Sequence, residues 1–219
     1  KSIYKKFTVN SLKNKIVNKT MLQKEFGLPE KPDTPLIAIV SRLADHKGLD
    51  LVSKIMESVI QENDVQLIVL GKGEQKYENY FMYLQNTHPD QVKALMIYDR
   101  EISKKIYAAS DIFVMPSLSE PCGLSQMIAS RYGSVPVTRE TGGLYDSIKG
   151  YYEENGEIRG NGFTFANYSE WELKDRICAA LWLYRDKERW AKFVKKIMQT
   201  DFSWNISAKK YIELYENIC

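Results

Sequence analysis

Short apolar, β-branched runs alternate with longer amphipathic stretches along most of this chain, and that alternation restricts the fold more than any other property. Residues 36–40, 65–70, 94–98, 112–115 and 135–138 read as strands, with 162–165 as a candidate last strand. Between them, 48–62, 75–85, 103–109, 124–132 and 144–149 read as helices, and Leu51, Ile55 and Val59 fall on one face of the first. Strands that are apolar almost throughout, each followed by a helix, imply a parallel sheet covered on both faces. Right-handed crossovers then predict an α/β, doubly wound Rossmann-like domain. Residues 1–33 read as a linker and leading helix, 34–200 as the Rossmann-like core, and 201–219 as a closing helix. Within the core, 171–200 is helical with a break near Asp186.

A 219-residue chain that is 44% hydrophobic and 27% charged can bury a core of its own. Lys and Arg number 31 against 28 Asp and Glu, and a net charge of +3 is too even to argue for nucleic acid or an anionic membrane as partner. No apolar run approaches the ~20 residues of a membrane span. The start is polar, carries no signal peptide and lacks an initiator Met, so the chain reads as a piece of a longer or processed protein. Cys122, Cys178 and Cys219 are scattered without CxxC spacing, which argues against a disulfide framework or zinc site and fits a reducing cytoplasm.

In doubly wound sheets ligands bind outside the carboxyl ends of the strands, so the residues just past each strand are the ones to read. After the first come Arg42 and Lys47, by themselves two solvated loop charges, but at this rim a fork and a point charge suited to a diphosphate. After the second comes Gly71-Lys72-Gly73-Glu74, in isolation a plain turn, where Gly71 and Gly73 allow close backbone approach. It is neither a dinucleotide fingerprint nor a P-loop. Tyr98 ends the third strand and is either a core or rim residue or a platform for a base. After the fourth, Glu120-Pro121-Cys122-Gly123-Leu124-Ser125-Gln126 sets a carboxylate beside a Gly-led helix start, which joins a partner for sugar hydroxyls to amides suited to phosphate. After the fifth, Thr141-Gly142-Gly143-Leu144 is a loop-to-helix turn or a second nest for anionic oxygens. Cys122 has no evident base partner, since His46 and His88 are the only histidines and His88 reads as a loop residue. Trp171, Trp182, Trp190 and Trp204 read as core or domain-contact residues.

The Glu120–Gln126 string resembles the bacterial glycogen synthase and plant starch synthase family of retaining GT-B glucosyltransferases. So do Ser41-Arg42-Leu43 with Lys47-Gly48, Gly71-Lys72-Gly73-Glu74, Arg139-Glu140-Thr141-Gly142-Gly143-Leu144 with Asp146, Asn161-Gly162-Phe163, and Asp201-Phe202-Ser203-Trp204 with Ala208 and Tyr211. The resemblance implies that Arg42 and Lys47 hold the donor's diphosphate and that Glu120 meets the glucose hydroxyls. It also implies that Cys122, Gly123, Leu124 and Ser125 line the phosphate side, that Tyr98 stacks on the base, and that Gly71, Gly73, Thr141 and Gly142 line the same pocket. Related sucrose- and lipid-directed enzymes carry a second Glu eight positions after the first; Ile128 stands there, which favours the synthase branch. On this likeness the donor is ADP-glucose, the acceptor an α-1,4-glucan, and no cofactor or metal is needed. The family's amino-terminal half is missing, so the chain reads as the carboxyl-terminal donor-binding domain, inactive alone, with its closing helix packed toward the absent half. A transferase using a UDP- or GDP-sugar and a non-catalytic glycan-binding module are the alternatives.

Overall fold

The computed structural model describes residues 3–218; Lys1, Ser2 and Cys219 lie outside them. The elements follow the order α1 (Lys13–Phe26), β1 (Leu36–Val40), α2 (Leu49–Glu62), β2 (Gln66–Leu70), α3 (Gln75–Thr87), β3 (Val92–Leu95), α4 (Arg100–Ala109), β4 (Ile112–Met115), α5 (Ser125–Arg131) and β5 (Val135–Arg139). Next come α6 (Gly142–Ser147), β6 (Tyr152–Glu154), β7 (Glu157–Arg159), β8 (Phe163–Phe165), α7 (Glu170–Arg185), α8 (Lys187–Gln199) and α9 (Trp204–Ile218).

Six strands form one parallel sheet in the order β3-β2-β1-β4-β5-β8. Strand order reverses between β1 and β4, which opens a crevice at their carboxyl ends. Because side chains alternate across a strand, each strand serves two cores. Ile37, Ile39, Leu67, Val69, Ile112 and Val114 pack with α2, α3, α7 and α8. Leu36, Ala38, Ile68, Leu70, Phe113 and Met115 pack with α1, α4 and α5 on the other face. This two-sided demand is why the central strands are apolar throughout, whereas at the sheet edge β3 alternates buried Val92 and Ala94 with partly exposed Lys93 and Leu95.

Two expectations change. The strand expected over 94–98 runs from Val92 to Leu95, and its last rung pairs Leu70 with Leu95. Tyr98 therefore stands in the following loop, 90% exposed. A β6–β7 hairpin interrupts the stretch between α6 and β8, turning through Asn155 (φ 52°) and Gly156 (φ 78°). Two consecutive left-handed residues at Asn-Gly are a strong hairpin signal. Of the tryptophans only Trp190 is buried; Trp171, Trp182 and Trp204 are 71%, 61% and 82% exposed.

Polar as it is, α1 is built into the fold rather than loosely attached. The fully buried Lys19 ammonium donates to Asp111 (2.7 Å), Tyr184 Oη (3.1 Å) and the Pro32 carbonyl (3.0 Å), while Asp111 also accepts the Leu36 amide (2.8 Å). Lys15 Nζ donates to the carbonyls of Tyr107, Ala108 and Tyr132, and so closes the last turns of α4 and α5. Burial pushes the Lys15 ammonium down to about 7, with Asp111 pulling upward and Lys19 adding to the fall.

Two measurements check this anchor. Asp111→Ala leaves the Lys19 charge buried and unpaired, and is expected to cost about 3–5 kcal/mol in urea unfolding. The pKa of Lys15 is lower folded than its unfolded value of about 10.4, so the cost of carrying its charge is full below pH 7 and is relieved as pH rises from there. The stability of the chain relative to Lys15→Met is therefore expected to increase between about pH 7 and 10.

Candidate functional site

The loops that leave β1, β2, β4 and β5 at the carboxyl rim are bonded to one another before any side-chain chemistry is considered. The Leu118 and Ser119 amides donate to the His46 carbonyl (3.0 and 3.4 Å), which joins the β4 loop to the β1 loop across the reversal. The Leu43 amide donates to the Lys72 carbonyl (3.1 Å), and the Glu74 amide to the Leu43 carbonyl (2.6 Å). The Gly143 amide donates to the Glu120 carbonyl (3.0 Å) and draws the start of α6 onto the Glu120 turn. A Cβ at Gly143 would lie 2.2 Å from the Cys122 carbonyl oxygen, and one at Gly71 would lie 2.1 Å from that of Ser41. These contacts need glycine because backbone meets backbone.

On this frame Lys47 Nζ and Glu120 Oε2 form an ion pair at 2.6 Å, with side chains only 19% and 10% exposed. Two buried-leaning opposite charges from different loops meet where the strand order reverses. At the same carboxyl rim lies a cavity of about 710 Å³, lined by Arg42, Gly71, Tyr98 and Ser125 among others, and by neither member of the pair. Ser41 Oγ, also in its wall, is buried without a hydrogen-bond partner. Helices α2, α5 and α6 start at the rim with no side-chain cap, so their first amides are not taken by their own N-cap side chains. By contrast α4 is closed by Asp99, whose Oδ1 accepts the Glu101 and Ile102 amides, both at 2.8 Å. The site is thus a lined cavity, a carboxylate–ammonium pair and helix starts without side-chain caps on one edge.

Glycosyl transferases group 1 is the family that matches residues 21–197. This chain belongs to that family. Glycogen synthase from Bacillus licheniformis is 51% identical over 198 residues, which cover 90% of this chain and 40% of that protein. Glycogen synthase from Clostridium beijerinckii is 48% identical over 218 residues, covering 100% of this chain and 45% of that protein. Among solved structures, the catalytic domain of Starch Synthase IV from Arabidopsis thaliana bound to ADP and acarbose is 36% identical, with a TM-score of 0.88 over 99% of this chain and 45% of that one. The parallel sheet flanked by helices matches these GT-B glycosyltransferase folds. The chain spans less than half the length of these relatives.

Within this family member, the residues expected at the site divide into groups. Arg42, Gly71, Tyr98 and Ser125 share the cavity wall. Lys47 and Glu120 pair with each other outside that wall, and Thr141 and Gly142 come within reach of the Glu120 turn because a Cβ at Gly142 would lie 2.3 Å from the Glu120 carbonyl oxygen. Cys122 and Leu124 are exposed next to Gly123, and Cys122 Sγ donates to the Gly123 carbonyl at 3.7 Å. The Gly71 and Gly73 amides are occupied internally, by the Leu95 carbonyl (3.1 Å) and the Glu78 carboxylate (2.9 Å), so these glycines serve the packing of β1 and β2 loops. His88 faces Glu57 at 3.4 Å. Sequence reasoning passed over Lys72 and Arg100, which add positive charge to the cavity wall. Lys72 lies inside the Gly71–Glu74 turn and Arg100 two residues past Tyr98, so position relative to a strand end is the available signal. Among the described residues no group of three or more His, Cys, Asp or Glu could hold a metal ion, and no helix is long and apolar enough to cross a membrane.

Gly143→Ala tests the interlock. The added methyl meets the backbone of Cys122, so the Glu120 turn must shift, at an expected cost of about 1–3 kcal/mol by thermal unfolding. Gly156→Ala, with nothing within 4 Å, is the comparison that carries backbone strain alone.

Proposed function

We propose that this chain is the donor-binding half of a retaining glucosyltransferase that moves glucose from ADP-glucose to the non-reducing end of an α-1,4-glucan. The observation that carries the reading is the Lys47–Glu120 pair at the strand-order reversal, on the same carboxyl rim as a cavity walled by Arg42 and Tyr98. The glycogen synthases among its relatives support the glucan acceptor, and the ADP in the plant starch synthase structure supports the adenine nucleotide.

Chemically, breaking the glycosidic bond to a nucleoside diphosphate leaves growing negative charge on the departing oxygens. Arg42 and Lys47 supply fixed positive charge there, and the amides of Gly123, Leu124 and Ser125 at the uncapped start of α5 supply hydrogen-bond donors. Glu120, already oriented by Lys47, accepts from the glucose hydroxyls and keeps the sugar over the leaving group. The exposed Tyr98 ring presents a face to the base, while Thr141 and Gly142 close the sugar side. With these cations as the neutralising groups, the reaction needs no metal or organic cofactor. The other half of the cleft comes from an amino-terminal domain. In support of that, α9 buries none of its residues against this chain and exposes Trp204, Tyr211, Tyr215 and Ile218. Scattered cysteines support a cytoplasmic location.

Calorimetry with ADP, UDP and GDP is the test. ADP is expected to bind most tightly, EDTA to leave its binding unchanged, and Arg42→Ala to weaken it by about 1.5–3 kcal/mol, the worth of hydrogen bonds to a charged group. Tighter binding of UDP or GDP would transfer the reading to another nucleotide sugar. Retention by glucan gels with indifference to all three nucleotides would mark a glycan-binding module instead. The chain alone is expected to show no glucan elongation from ADP-glucose.

A further inference from the structure

Arg139 lies at the end of β5 and reaches three backbone carbonyls on two neighbouring loops. Its Nε donates to Ser117 (3.2 Å), its Nη2 to Leu118 (3.0 Å) and its Nη1, more distantly, to Ala166 (3.5 Å). The guanidinium lies over the Tyr168 ring, 5.5 Å from its centroid. The Tyr168 hydroxyl in turn donates to the Asp50 carboxylate in the first turn of α2. Burial and the Asp50 carboxylate raise the phenol's pKa, which keeps it a donor.

Both ends of this chain of contacts are adjacent to the site. Ser117 and Leu118 immediately precede the turn that carries Glu120, and Asp50 follows Lys47 by three residues. A planar, always-charged fork can hold two carbonyls at fixed spacing, which a single ammonium cannot. From this geometry we infer that Arg139, stacked on Tyr168, is a positioning residue that sets the distance between the Lys47 and Glu120 loops and so holds Glu120 where the transferred sugar is bound. The sugar-binding part rests on the function proposed above; the bracing part rests on the contacts alone.

Amide hydrogen exchange and calorimetry on this 219-residue chain separate the two. Arg139→Gln is expected to speed exchange at Leu118 and Ser119, whose amides bond to the His46 carbonyl, by about tenfold while amides in β1 and β2 keep their rates. It is also expected to weaken ADP-glucose about tenfold and ADP by clearly less, because only the former engages Glu120. Arg139→Lys, which keeps charge without the fork, should fall between, and Tyr168→Phe should loosen the same two amides to a smaller degree. Unchanged exchange at Leu118 and Ser119 in Arg139→Gln, or an equal rise across the whole sheet with a lower unfolding temperature, overturns the inference. Equal losses for ADP and ADP-glucose overturn the link to sugar binding. If the unaltered chain binds neither ligand, the proposed function fails and the exchange pattern still decides the brace.

Discussion

The reversal of strand order between β1 and β4 is the constraint on which this molecule depends. In a parallel sheet every connection must return across a face, so two neighbouring strands whose helices depart to opposite faces leave a gap at their carboxyl ends. Here that gap receives the loop bearing Arg42 and Lys47 from one strand and the loop bearing Glu120 from the other. The His46 carbonyl, accepting two amides of the β4 loop, ties the sides together with backbone hydrogen bonds. Charge comes second: the Lys47–Glu120 pair is short because the frame beneath it already holds the loops in contact.

A second consequence of the same topology is a division of labour between the two ends of the sheet. At the amino end, two buried ammonium groups have their donors used within the protein: Lys19 on Asp111, Tyr184 and Pro32, and Lys15 on three carbonyls. Their full hydrogen bonding makes them anchors for α1, not ligand sites. At the carboxyl end the pattern inverts. Arg42 is exposed, Ser41 Oγ lacks a partner and three helix starts lack side-chain caps. Satisfied ammonium groups hold the amino end of the fold, and at the carboxyl end the unpartnered Ser41 Oγ belongs to the cavity wall.

Much of this architecture is legible residue by residue. Residues 36–40 and 112–115 are apolar at every position because both faces of a central strand are buried, and the expected strands coincide with β1 and β4. The break near Asp186 is visible because that residue caps α8 through the Arg189 amide. The end of the third strand is not legible locally, because how far β3 extends depends on its pairing with β2, whose last rung joins Leu70 to Leu95. The 152–159 hairpin lay in a charged stretch without apolar alternation, so only its Asn155-Gly156 turn could have announced it. Trp171 and Trp182 fit a helical face equally well whether buried or exposed, and the packing of α7 left them outside.

By itself the sequence determined which segments are strands and helices, and which side chains fall at the carboxyl ends of strands, because hydrophobic period and turn chemistry are local properties. Only tertiary structure decided that Lys47 pairs with Glu120 across 73 residues, that Gly71 and Gly73 spend their amides on neighbouring protein groups, and that Arg139 spans the loops beside them. Such pairings depend on which strands become neighbours and how closely backbones approach, and both are set by the assembled sheet.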